Sequence, residues 1–231
     1  MKKALLNMLI LFFLASPSLG AIAVEDTSIG ATSGVLSHDV SGSDTILIVG
    51  IGHEYIGETY ITGVTYNGTA MTRLEGLTSY TRTYDLNVWY LLNPDAGTHD
   101  IAASSTSTQI NIMAVTLSGA EQEAPDSNQD VTNGVGSIET DITTTTADEI
   151  LLAFGYNSTT TAWQAVAGQT LLMNQNAPGG NSHDEACYSK AVASAAATSA
   201  TVETNETDNM INTVVAIAEV QTPSGAPPQI W

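Results

Sequence analysis

Two apolar runs about a hundred residues apart constrain this chain more than any other feature. Thr45 to Ile51 reads TILIVGI, and Glu149 to Gly155 reads EILLAFG. Each is short, rich in branched aliphatic residues and closed by glycine or a polar residue. That pattern is a strand buried on both faces, in the middle of a sandwich. Long helical periodicity is absent, and Thr, Ser, Ala, Gly and Val dominate. An all-β fold is therefore predicted.

The echo extends beyond the two runs. GVLSHDV (34–40) is answered by GSIETDI (136–142), and VTYNGTAM (64–71) by QAVAGQTL (164–171). INIMAV (110–115) is answered by INTVVAI (211–217). The order is kept and the offsets drift only between 100 and 104 positions. This reads as a weak internal duplication, with pseudo-repeats at about 34–119 and 136–220. No Pro/Gly-rich linker separates them, so one domain over 21–221 is expected, followed by an extended Pro-rich tail at 222–231.

Local signals fill in the strands. Ala21 to Val24 is a short apolar start. Tyr60 to Tyr66, the Asn67-Gly68 turn and Thr69 to Leu74 form a hairpin, because Asn-Gly accepts the positive φ angles of a tight turn. Asp85 to Leu92 is a strand carrying Val88 and Trp89, ended by the turn Asn93-Pro94-Asp95-Ala96-Gly97. His99 to Ala103 and Ile110 to Leu117 follow. Gly119 to Gly136 reads as a long acidic loop. About twelve short strands with regular turns predict two interlocked sheets, a jelly-roll-like β-sandwich.

Lys2 and Lys3 followed by the apolar stretch Ala4 to Leu14, Pro17 and small residues have the form of a secretory signal. Cleavage is expected after Gly20, with a second fitting position after Ala23. The apolar stretch is too short to span a bilayer comfortably, and no other long one follows. A secreted protein, outside the membrane after cleavage, is expected. The formal charge of −19 becomes −21 without Lys2 and Lys3. So acidic a surface repels nucleic acid and anionic lipid. Cys187 is the one cysteine, which rules out an internal disulfide.

No catalytic signature emerges, and an enzyme is not expected. Gly180 to Glu185 (GNSHDE) gathers Ser, His and carboxylates, but a triad converges from separate elements rather than from neighbours. Cys187 follows His183 by four, yet it falls where the first repeat has Val88, a core position, so it reads as a buried inert thiol. With 24 acidic residues some pair will always qualify as a glycosidase couple, so that signal is empty. His38, His53, His99 and His183 lack metal spacing and read as surface or strand histidines.

Three weaker signals stand beside ordinary readings. Glu121, Glu123, Asp126 and Asp130 offer oxygen donors for calcium, as does the stretch from Asn174 to Glu185; the ordinary reading is a solvated acidic loop. Tyr55, Tyr60, Tyr80 and Tyr84 could stack on sugar rings, against the ordinary reading as sandwich-edge tyrosines. Asn67, Asn157 and Asn205 begin N-glycosylation sequons.

VTYNGTAMTRL (64–74), VWYLLNPDAGTHDI (88–101) and AVTLSGAEQEAPD (114–126) together resemble a recurrent, poorly characterised module of secreted bacterial surface and appendage proteins. The likeness spans nearly the whole mature chain. It implies a β-sandwich in an adhesive or structural setting and no catalytic residues. The expectation is a secreted structural subunit that forms a homopolymer, a filament or surface layer, by strand donation between neighbours. Ala21, Ile22, Ala23 and Val24, or Ile230 and Trp231, would supply the donated strand. The alternative is a carbohydrate-binding or adhesive module with glycan partners.

Overall fold

The computed structural model describes residues 21–32, 34–54, 61–74, 84–105, 110–159, 161–175 and 183–221. They form an all-β sandwich of antiparallel sheets. The strands in chain order are β1 (Ala23–Thr32), β2 (Val35–Val40), β3 (Ile46–Glu54), β4 (Ile61–Tyr66), β5 (Thr69–Ala70), β6 (Thr72–Arg73) and β7 (Tyr84–Leu92). There follow β8 (Gly97–Ser105), β9 (Ile110–Ser118), β10 (Asp126–Thr143), β11 (Glu149–Asn157), β12 (Thr170–Gln175), β13 (Asp184–Val192) and β14 (Ala197–Ile217). Fourteen strands among the described residues thus replace the expected twelve. Among them no helix is long and apolar enough to cross a membrane.

Three sheets replace the expected two. Their orders are β1-β9-β3-β7-β6, β2-β8-β4-β5 and β10-β14-β11-β13-β12. The first is covered on both faces, as the TILIVGI run demands. Leu47, Val49 and Ile51 of β3 pack with Val64, Tyr66 and Ile101 of the second sheet. Ile46 and Ile48 point the other way, onto Leu152, Phe154 and Val215 of the third. Alternation along a strand sends successive side chains to opposite faces, so a strand between two layers must be apolar at every position. Gln129 pins the two large sheets with a polar contact. Its Nε2 donates to the Leu86 carbonyl at 3.2 Å and to Thr213 Oγ1 at 2.6 Å.

β10 and β14 are long because each serves two layers. Asp126 to Thr132 pair with Met210 to Ala216 in the third sheet; after register shifts between Thr132 and Ser137, Ser137 to Thr143 pair with Ala197 to Glu203. The second stretch folds over the outer face, where Ile138, Ala200 and Val202 pack on Ala153, Ala186, Tyr188 and Trp163. Gly134 marks the corner with φ +67°. The expected acidic loop at 119–136 is therefore corrected: from Asp126 on it is strand. Pairing with the apolar half of β14 overrides the polar local composition.

The two halves share one plan. Ile46 pairs with Leu117 and Leu92 in the first; Ile150 pairs with Ile217 and Ala191 in the second. Asp26 faces Thr116 across β1-β9, as Asp126 faces Ala216 across β10-β14. Asp44 and Asp148, each just ahead of the central strand, have φ of 51° and 58°. Gly68 and Gly168, in corresponding turns, have φ of 78° and 75°. The hairpin around Asn67-Gly68 forms as expected, but its return arm breaks at Met71 into β5, in the second sheet, and β6, in the first.

Candidate functional site

The N-terminal residues named as an assembly segment lie at a sheet edge. Ala23 and Val24 pair with Ser118 and Leu117 as the first strand of their own sheet. Among the described residues β1 is laddered to β9 alone, so it is an edge strand whose other side carries no ladder, with β2 and β12 packed near it. A register shift between Val24 and Asp26 lets Ile22, Val24 and Ile29 face the core between the large sheets. Asp26 and Ser28 instead reach β2. Ser28 Oγ lies 2.9 Å from His38 Nδ1 and Asp26 Oδ2 lies 3.3 Å from the same nitrogen, while His38 Nε2 lies 2.8 Å from Thr116 Oγ1. These are the residue types of a nucleophilic triad in the wrong arrangement. Ser28 and Asp26 share one ring nitrogen, and Thr116, on the other, is wholly buried. The group pins β1 to β2 and β9. Burial lowers the His38 pKa, against the opposing pull of Asp26 and Asp39.

The corresponding place in the second half is open. There Asn128, Thr140 and Ala216 stand where the first half has Ser28, His38 and Thr116. An open groove of about 840 Å³ runs past Asp126, Asn128, Asp141 and Ser199. Asn128 Nδ2 donates to the Asp141 carbonyl at 2.7 Å.

The structure does not converge the calcium candidates. Glu121, Glu123 and Asp126 border one recess. Asp130 is four residues further along β10, about 13 Å at strand rise. Glu149, in the same recess, already accepts the Thr145 and Thr146 amides at 2.8 and 2.7 Å. Among the described residues, no three His, Cys, Asp or Glu side chains gather as a metal site.

Tyr55, Tyr60, Tyr80, Ile230 and Trp231 lie outside the described residues; Tyr84 opens β7, its backbone paired with Glu54. Asn67 and Asn205 are exposed, but Asn157 is not a glycan acceptor in this fold. It is fully buried, its Nδ2 donating to Thr161 Oγ1 at 2.9 Å. Cys187 is buried beside Phe154, and burial pushes its thiol pKa up. His99 is partly exposed. Of the two readings, surface or strand, the strand one holds for His38 in β2 and His53 in β3; His183 stands just ahead of β13, and all three are buried, which corrects the surface reading.

His53 and His183 belong to a buried polar end of the sandwich that sequence reasoning missed. His53 Nε2 lies 3.5 Å from Asp85 Oδ2, which also accepts Asn87 Nδ2 at 2.9 Å. Between the two large sheets, Asn111 Nδ2 donates to Glu185 Oε2 at 2.5 Å, and His183 Nε2 stands 3.6 Å from Glu185 Oε1. The His183 ring stacks on Tyr156, centroids 5.2 Å apart. Burial raises the Glu185 pKa well above its ordinary value, and it lowers that of His183 to about 4, assisted by nearby His53. Both ring nitrogens of His183 and Oε1 of Glu185 are buried without a hydrogen-bond partner among the described residues. The available signal was the His-Asp-Glu order at 183–185. Alternate residues of a strand share a face, so His183 and Glu185 project together.

No protein-family model matches the chain, and no curated protein or solved structure matches it either.

Proposed function

We propose that the chain is a secreted structural protein that associates with copies of itself, edge to edge, into an extracellular filament or surface layer. The observation that carries this reading is the unladdered side of β1, a ten-residue edge strand. Such an edge is a template for a further strand, with main-chain hydrogen bonds supplying affinity. The same strand can be exchanged between copies, since most of its side chains are only half-buried and Gly34, with φ +100°, turns the chain just after it. The resemblance to surface and appendage modules points the same way, as an analogy of fold. The acidic surface opposes association, so salt or calcium should promote it.

The test is sedimentation and electron microscopy of the mature protein over a range of concentration, salt and calcium. Polymers are expected, and they should weaken when residues 21–25 are deleted. A protein that stays monomeric throughout sinks the reading. Polymers indifferent to the deletion remove β1 from it.

A further inference from the structure

The polar end between the two large sheets holds donor atoms that nothing among the described residues satisfies. His183 and Glu185 are both fully buried, and neither His183 nitrogen nor Glu185 Oε1 has a hydrogen-bond partner among those residues. Buried polar atoms are normally paired, and leaving one unpaired is destabilising. Three such atoms at one place call for an occupant.

The spacing selects among occupants. At 3.6 Å, His183 Nε2 and Glu185 Oε1 are too far apart for a direct hydrogen bond. A water bridging them through bonds of about 2.8 Å would be bent to roughly 80°, well inside the tetrahedral angle. One ion bound to both at about 2.1 Å would subtend roughly 120°, close to tetrahedral. The surroundings fit a bound ion too. Asn111 holds the other carboxylate oxygen, the kind of outer contact that orients a metal ligand. Tyr156 braces the imidazole by stacking. Gly52 lets the carboxylate pack close: a Cβ there would stand 2.7 Å from Glu185 Oε1.

We propose that His183 and Glu185 are the anchoring ligands of a site for one divalent first-row transition ion, of which zinc is the probe. One imidazole nitrogen and one carboxylate oxygen suit such an ion, and water would complete its coordination. The ion supplies the positive charge that the Glu185 carboxylate lacks among its described neighbours. Both ligands belong to the second half, and the first half contributes Asn111 as the outer contact.

The experiment uses the whole mature protein, stripped with chelator, with zinc or cobalt added both to the folded protein and during refolding. Bound metal is measured after desalting, together with the melting temperature. One ion per chain and a raised melting temperature are expected, with Glu185→Gln and His183→Gln each abolishing both effects. Wild-type protein that retains no ion under either protocol overturns the proposal and leaves the site to water. Uptake equal in wild type and both variants also overturns it, since the ion would then sit elsewhere. Should either variant fail to fold, Asn111→Ser, which removes only the orienting contact, is expected to weaken binding at least tenfold. Unchanged affinity in that variant counts against the site.

Discussion

The ring of Phe154 lies directly over Gly50: a Cβ on that glycine would stand 2.6 Å from Phe154 Cδ1 and 3.1 Å from Cε1. The two residues hold the same place in their respective central strands, four positions after Ile46 and Ile150. Two residues on, the relationship recurs, with Gly52 beneath Tyr156, whose Cδ2 would be 2.6 Å from a Cβ. Gly50 and Gly52 thus each receive the aromatic ring at the matching position of the second half. A symmetric pair of large side chains could not pack there at this sheet spacing, and a pair of glycines would leave a void.

Gly50→Ala should therefore destabilise the protein by about 1–3 kcal/mol through overpacking. Combining it with Phe154→Leu should recover part of that loss, giving a coupling that a double-mutant cycle in urea would register. Strictly additive effects would separate the two residues energetically.

Trp89 is only 7% exposed and packs among Val49, Tyr66 and Met71 inside the first half. Trp89→Ala should cost about 3–5 kcal/mol. Equilibrium denaturation measures it, and an unchanged midpoint would place the ring outside the core.

His38 should shape the acid limb of the stability curve. Asp26 and Ser28 on β1, Asp39 on its own strand and Thr116 on β9 face its ring, and Tyr66 donates to its carbonyl at 3.5 Å. Its folded pKa lies below the ordinary 6.5, so the unfolded chain takes up the proton more readily. The stability it contributes is present above that value and is lost as the pH falls through it toward the folded pKa. Relative to wild type, His38→Gln should show a shallower loss on acidification below pH 6.5. Parallel curves would show that the ring does not titrate with unfolding.

Asp44 and Asp148, at φ 51° and 58°, turn the chain into β3 and β11. Valine at either position should cost roughly 1–2 kcal/mol, because a β-branched side chain resists the left-handed region. Glycine should be tolerated. Thermal melts of the four variants compare the two turns directly, and a valine harmless at one site would break their equivalence.

Several parts of this fold were legible without coordinates. The runs around Ile48 and Leu152 announced strands covered on both faces, because a strand in the middle of a stack has no solvent side to make polar. Asn67-Gly68 announced its turn, because few residues accept positive φ. Val88 and Trp89 announced core positions through the apolar run of their strand, and Cys187 through its match to Val88 in the other half. Apart from the Cys187 match, the signal lies within a few residues of its consequence.

What only the tertiary structure decided involves partners far apart in the chain. The stretch from Asp126 looks like a solvated loop until the apolar half of β14, some 80 residues later, pairs with it. Asn111 meets Glu185 across 74 positions. His183 and Glu185 look like members of a polar turn until the stacking of two sheets buries them. Hydropathy records how a residue behaves in water next to its sequence neighbours. Burial depends on which sheet comes to lie over it, and that is set by the sum of side-chain contacts between two halves of the chain rather than by the local pattern at either one.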